Sequence, residues 1–439
     1  MQKVEVQDNF TAKGCSNSSP QQAVDLGAGV YWLQAYQEVT GKRARYVQGG
    51  GCTTVGVAGF IQGGGFGSFS KYYGLGAAGL LEAEVVTADG RVLHANACQH
   101  PDLFWALKGG GGGTFGIVTK LTLRTRELPE TFGVVYGEIQ ALTDRAYRIL
   151  IGKLIDQYAE NLFNENWGEQ MIFNPSRKVN ITMLFHGLSQ DVAQNAWSLF
   201  QQWVVDNPAD YHFITPLTVL VLPARSFWNA NFLEQHAPGL IALDIRPGSD
   251  HEKFFYANNR GECGQFLHGY DSAWLPRQLL EKTERHRLAD ALYASSMIWT
   301  TGIHFNKGLA GSRPEEIAAA LDCAMNPAVI DAFALAIIAG GGDPVYTGVS
   351  GHEPDLKEAS SAASKIRQAM TTLRAGIPTT GSYLNESDYF DDNWRQSYWG
   401  KNYNRLAAVK KQYDPEGLFF VHHGVGSEFW SKDGFERIN

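Results

Sequence analysis

The chain has 439 residues, enough for a large core and two domains, and a formal charge of −8 from 37 lysines and arginines against 45 aspartates and glutamates. The two signs are mixed with no basic run, which excludes a nucleic-acid role, and no apolar stretch approaches the roughly 18 to 20 residues that span a bilayer. Aromatic residues make up 12% of the chain, a content that suits either an aromatic-lined pocket or simply a large core. In chain order, Leu81 to Ala88 reads as a strand, Asp89-Gly90 as a hairpin turn and Arg91 to Ala95 as the returning strand. Pro101 to Leu107 reads as a short helix whose first turn holds Asp102, where a carboxylate complements the helix dipole. Gly116 to Arg124 alternates as a half-buried strand does. The character changes near Leu128-Pro129-Glu130. Beyond it, Ala141 to Tyr158 and Asp191 to Val204 have helical apolar spacing, while Asn180 to His186, Met297 to Phe305 and Ala332 to Ala339 read as strands. That succession predicts an antiparallel sheet with helices on one face, hence an α+β fold. Asp391 to Tyr413 is a charged helical stretch closed by Pro415, and Leu418 to Gly424 reads as a last strand.

The five cysteines, Cys15, Cys52, Cys98, Cys263 and Cys323, are widely spaced and form no C-x-x-C pair. The spacing argues against a zinc site and offers no disulfide framework, and the odd count leaves one thiol without an intrachain partner. The N-terminus shows no basic-then-apolar leader pattern, which favours the cytoplasm. Elements of the H-E-x-x-H, G-x-S-x-G, EF-hand and P-loop kinds do not occur, so the chemistries they serve are unsupported.

The densest information lies between Gly49 and Thr125. Cys52 stands between two glycine-rich loops, each followed by β-branched and aromatic residues. Glycine lets backbone N–H groups approach a flat or anionic ligand closely. The five consecutive glycines Gly109 to Gly113 are flanked by apolar residues, unlike a flexible linker.

In order, the segment reads Cys52, Thr54-Val55-Gly56, Gly63-Gly64-Gly65-Phe66-Gly67, Ser70, Tyr73-Gly74-Leu75, Asp89-Gly90-Arg91, and Asp102 through Thr119. This ordered set resembles the second half of the flavin-binding domain of the vanillyl-alcohol oxidase superfamily, berberine-bridge-enzyme-like branch. Tyr398 to Leu406, Val409-Lys410 and Tyr413-Asp414-Pro415 resemble the same family near the C-terminus. The resemblance implies an FAD-binding domain of this type over residues 1–129, a substrate domain with an antiparallel sheet covered by helices over 130–380, and a C-terminal segment, 381–439, returning to the FAD-binding domain. It implies FAD as cofactor, a small-molecule substrate, dioxygen as electron acceptor, and no nucleic-acid or membrane partner. Three departures stand out. No Gly-Gly-His loop for the flavin pyrophosphate occurs, so a separate N-terminal FAD-binding half is an alternative partner. Ala78-Gly79 stand where relatives carry Asp-Asn, and the branch's glutamate base has no counterpart where Ile337 to Gly342 run.

By the same resemblance, Cys52 is the residue that forms a thioether to the flavin; a buried structural cysteine is the alternative. Thr54, Val55, Gly56, Gly59, Gly63, Gly64, Gly65, Gly67, Gly116, Ile117 and Val118 are the expected flavin contacts, unless the glycines merely close tight turns. Val55 occupies a position where valine accompanies oxygen access, or else it is core. Tyr383 and Asn385 resemble a Tyr-x-Asn element facing the flavin, and Asn402 matches a G-x-N-Y element at the flavin edge. A proton must leave the substrate as hydride leaves it, so Tyr383, with a pKa lowered by a nearby cation or by flavin, is the expected acceptor. His422 and His423 are the other candidates, one of them pointing inward on a strand. His304 reads as a core histidine in preference to a pocket residue. The expected activity is oxidation of an alcohol, sugar or natural product with O2 reduced to H2O2; the alternative is a non-catalytic or incomplete flavin-fold chain.

Overall fold

The computed structural model describes residues 1–16, 19–249, 252–257, 259 and 264–438. Cys263 lies outside the described residues. The first sheet is built from β1 (Val4–Phe10), β2 (Gln21–Gly27), β3 (Arg45–Val47), β4 (Leu80–Val86), β5 (Val92–Asn96) and β6 (Ile117–Glu127). Its order is β1-β2-β6-β4-β5, with β3 paired to the far end of β6. The β4–β5 hairpin turns at Asp89-Gly90, and the helix Pro101–Leu107 follows as its composition predicts. Asp102, in the first turn, accepts a hydrogen bond from Tyr413 at 2.9 Å, which ties this helix to the C-terminal segment.

The second sheet comprises β7 (Thr131–Ala141), β8 (Trp167–Phe173), β9 (Lys178–His186), β10 (Tyr211–Pro223), β13 (Phe266–Pro276), β14 (Thr301–His304) and β15 (Ala332–Gly342). Its order is β10-β7-β9-β8-β14-β15-β13, and the short β11 (Ile241–Leu243) and β12 (Phe254–Tyr256) pair apart from it. Every strand pairing among the described residues is antiparallel. Alternation decides the faces. Ile181, Met183 and Phe185 of β9 and Met171 and Phe173 of β8 share a core with the helices Asp144–Gln157, Gln190–Asp206, Arg285–Ser296 and Leu356–Gly376. Thr182, Leu184 and Gln170, one residue out of phase, face the other way and line a cavity.

Four sequence expectations change. The strand expected over Met297–Phe305 shortens to Thr301–His304, because Met297 to Thr300 leave the preceding helix as turns. The helix expected over Asp391–Tyr413 is two helices, Trp394–Trp399 and Tyr403–Tyr413, broken at Gly400 with φ +53°. Leu418 to Gly424 is irregular rather than a strand, held by Asp414 accepting from the Leu418 and Phe419 amides. Cys15 and Cys98 form a disulfide that spacing alone did not suggest.

The two sheets are locked through buried polar contacts. Lys71, in the short helix Ser70–Tyr73, is 1% exposed and donates to the carbonyls of Gly308, Ala310 and Phe333 at 2.9, 2.6 and 3.0 Å. Burial pulls its pKa down to about 7. The three acceptors match the three N–H donors of an ammonium. The Lys71→Met chain loses this match and strands three carbonyls. Its unfolding free energy is expected to fall by about 3 kcal/mol, read as a lower urea midpoint at unchanged slope.

Candidate active site

Between the sheets lies a cavity of about 2140 Å³. One wall carries almost no side chains: Gly50, Gly51, Gly56, Gly59, Gly111 and Gly112 line it together with Cys52 and Val55. A Cβ added at Gly56 or Gly59 would meet nothing within 4 Å, and one at Gly112 would find its closest neighbour, the Gly59 Cα, at 3.8 Å. Packing therefore does not explain these glycines. Gly59 sits inside the helix Val57–Gln62, where glycine costs about 0.5–1 kcal/mol relative to alanine. Cys52 is half-buried, and its Sγ lies 3.2 Å from Asn259 Nδ2. The other thiol described, Cys323, is buried and pushed up to about 12, which leaves it unreactive. Val55 is 38% exposed on the cavity and is not a core residue.

The second glycine group does something else. A Cβ at Gly63 would strike Asn385 Nδ2 at 2.1 Å, at Gly64 Met325 Sδ at 2.0 Å, at Gly65 Phe60 Cε1 at 2.4 Å, and at Gly67 the Gly49 carbonyl at 1.8 Å. These four glycines let the loop press against protein, and the positive φ of Gly64 and Gly65, +104° and +74°, demands glycine as well. Gly116 is packed on Val85 and Val86, and Val118 is core. Ile117 and Thr54 are exposed and lie outside the cavity lining. Asn402 Nδ2 donates to the carbonyls of Met325 at 2.7 Å and Ala324 at 3.4 Å, and so bridges two segments rather than lining the cavity.

The same cavity is lined by Tyr383 and Asn385. Tyr383 Oη accepts from the Gly65 amide at 3.3 Å and from Asn385 Nδ2 at 3.0 Å. With two donors on the oxygen, the hydroxyl proton is left for a third direction. Burial, reinforced by Glu386, holds the phenol well above its ordinary value, so the expected lowering does not occur in the protein itself. The nearest cation on that side, Lys307, is already paired with Glu386. His422 donates through Nε2 to the Tyr389 carbonyl at 2.9 Å and stacks on the Tyr389 ring at 4.0 Å. His423 adopts φ +56° on irregular backbone and stacks on Trp394; burial and His422 lower its pKa, and its buried Nδ1 has no hydrogen-bond partner. Both histidines line the cavity, from a loop and not from a strand. His304 also lines it, kept neutral by burial and by Lys307.

Residues that sequence reading passed over complete the lining. Tyr36, Trp228 and Tyr256 form an aromatic corner, with Tyr36 and Trp228 stacked at 4.0 Å and Tyr36 Oη donating to the Gly50 carbonyl at 2.9 Å. Glu169 of β8 is there too. Strand alternation assigns Glu169 to the core face, because it pairs with Met183. Its φ of +67° turns it out of that phase, a departure no sequence pattern announces.

Comparison with known proteins agrees with this geometry. Residues 12–96 match the FAD binding domain family, and residues 382–426 match the berberine and berberine-like family. The chain is 30% identical to the FAD-linked oxidoreductase easE of Arthroderma benhamiae, over 95% of this chain and 77% of that protein. It spans 70%, 65% and 64% of the length of three further FAD-linked oxidoreductases. Its fold is shared with the VAO-type flavoprotein MtVAO615 from Myceliophthora thermophila C1 (TM-score 0.72, 24% identity, 98% of this chain and 71% of the other). It is shared also with an Acremonium strictum glucooligosaccharide oxidase (TM-score 0.69, 21% identity, 97% and 79%).

FAD fits the residues present. A flat ring system needs a wall without side chains, and the open space beside Gly56, Gly59 and Gly112 provides one with a thiol, Cys52, on it. The Gly59→Ala chain tests this. Without flavin it is expected to be more stable by about 0.5–1 kcal/mol, as for any unstrained helical glycine. In a flavin absorbance titration it is expected to bind less flavin than the native chain.

Proposed function

The chain belongs to the FAD-linked oxidoreductases, and from that premise we propose that the protein is an oxidase acting on an alcohol, sugar or natural-product substrate, with O2 reduced to H2O2. The observation that carries the proposal is a single cavity lined both by a glycine-rich stretch bearing Cys52 and by Tyr383 and Asn385. Bound FAD supplies the two-electron acceptor, which the protein's own side chains lack. Cys52 is placed to anchor it covalently. Tyr383 is the proposed proton acceptor for the substrate hydroxyl. The Gly65 amide and Asn385 Nδ2, both donating to its oxygen, stabilise the phenolate that proton removal needs. In the resting protein the phenol stays protonated, so the accepting state depends on what the cavity holds. His423, neutral and with Nδ1 unsatisfied, is the second candidate. The Cys15–Cys98 disulfide weighs the localisation toward an oxidising compartment and away from the cytoplasm.

A second reading has this chain holding flavin only together with a separately made N-terminal half, because the chain carries no Gly-Gly-His loop for the flavin pyrophosphate. A visible spectrum separates the two, since a colourless chain supports the second. For a yellow chain, acid precipitation is expected to leave the colour in the pellet, and Cys52→Ala is expected to release it to the supernatant. Tyr383→Phe is expected to lower kcat by about 100-fold or more while flavin stays bound. Reoxidation of the substrate-reduced protein in air-saturated buffer without peroxide would sink the oxidase reading.

A further inference from the structure

The cavity holds a hydrogen-bond acceptor that nothing among the described residues satisfies. Asn306 is 3% exposed, and its Nδ2 donates to the Gly67 carbonyl at 3.3 Å. A carbonyl only accepts, so the amide orientation is fixed and Oδ1 is the atom left over, buried and without a partner. Glu169 is its neighbour through Gly168, where an added Cβ would lie 3.1 Å from Asn306 Cβ. The Glu169 carboxylate reaches across to the glycine wall, with Oε1 3.7 Å from a Cβ built on Gly51, and it takes a hydrogen bond from Ser68. The cation that acts on it, Lys307, is committed to Glu386. Asp271, another carboxylate of the cavity, is paired with Arg374. Arg367, the arginine of the lining, sits on the helix Leu356–Gly376.

The backbone is strained to bring Glu169 there. Its φ of +67° lies in the left-handed region, which an ordinary side chain adopts only under strain. In phase with Met183, its carboxylate would be driven into the apolar core beneath the sheet. Out of phase, it stands within electrostatic range of the phenol rings of Tyr36, Tyr46 and Tyr256. The phenols of Tyr36 and Tyr256 already donate to main-chain carbonyls, which leaves an unpaired amide oxygen, aromatic faces and a carboxyl whose pKa is raised by burial; together they are complementary to a donating group whose positive charge favours the carboxylate.

We propose that the substrate carries a protonated amine, and that Glu169 and Asn306 Oδ1 receive it beside the Tyr36–Trp228–Tyr256 corner. This narrows the substrate class of the site assigned above and rests on that reading. Glu169 is then a specificity residue: it selects a cation over a neutral molecule of the same shape.

Calorimetric titration of the purified chain, in the flavin state in which it is isolated, tests this with phenethylamine and its neutral isostere 2-phenylethanol at neutral pH. The native chain is expected to bind the amine roughly tenfold more tightly. Glu169→Gln is expected to erase the preference without changing the melting temperature downward, and Glu169→Asp, which keeps the charge, to retain it. Equal affinities, no binding of either probe, or a preference that survives in Glu169→Gln would each overturn the proposal. A colourless chain that still prefers the amine favours the reading in which flavin needs a separate N-terminal half, and leaves the amine-binding corner standing. A chain that holds flavin but shows no preference does the reverse.

Discussion

An ammonium group taken out of water must find donors' worth of acceptors or the structure around it fails, and Lys71 finds three main-chain carbonyls. Those carbonyls belong to Gly308, Ala310 and Phe333, more than 230 residues along the chain from the lysine's own helix. The contact fixes the distance between the two sheets. Lys71 lies just beyond the Gly63–Gly67 loop, whose glycines are jammed against Asn385, Met325, Phe60 and Gly49. The joint between sheets is therefore close on one side, and the cavity is what remains open on the other. The C-terminal segment secures the second loop in the same manner. Trp399 Nε1 donates to the Gly109 carbonyl at 3.0 Å, and Lys410 donates to the Thr114 carbonyl at 2.8 Å.

Within the cavity the two walls divide the work. One is nearly all backbone and accepts a flat ring; the other is side chains whose protonation is controlled by burial. Tyr383 and His304 are both kept uncharged by desolvation, and the Lys307–Glu386 pair cancels most of its own field. A site built this way is poised by what enters it, since each entering charge acts in a poorly screened space.

Much of the frame was legible in the sequence. The β4–β5 hairpin, the helix after Pro101 and the strand after Gly116 all appear where turn residues and alternation put them, because local chemistry dictates them. The glycine loops were legible as special but not as different from each other. Glycine density signals close approach, and only packing separates open space, as at Gly59, from contact with Phe60 and Asn385, as at Gly65 and Gly63. The helix Leu356–Gly376 went unread, its small residues giving a weak apolar stripe. His422 and His423 were assigned to a strand that the Asp414 cap replaces with a turn. Glu169 was invisible for the opposite reason: it breaks the very alternation by which strands are read.

The Cys15–Cys98 bond has a topological meaning. The 83-residue separation makes a covalent ring that contains Cys52, the Gly63–Gly67 loop, Lys71 and the β4–β5 hairpin. Unfolded, that ring explores far fewer conformations than an open chain of the same length. A protease that nicks any loop inside it opens the ring into a linear branch but releases nothing, so the segment that would hold a flavin through Cys52 stays attached to the body of the protein after a single cut.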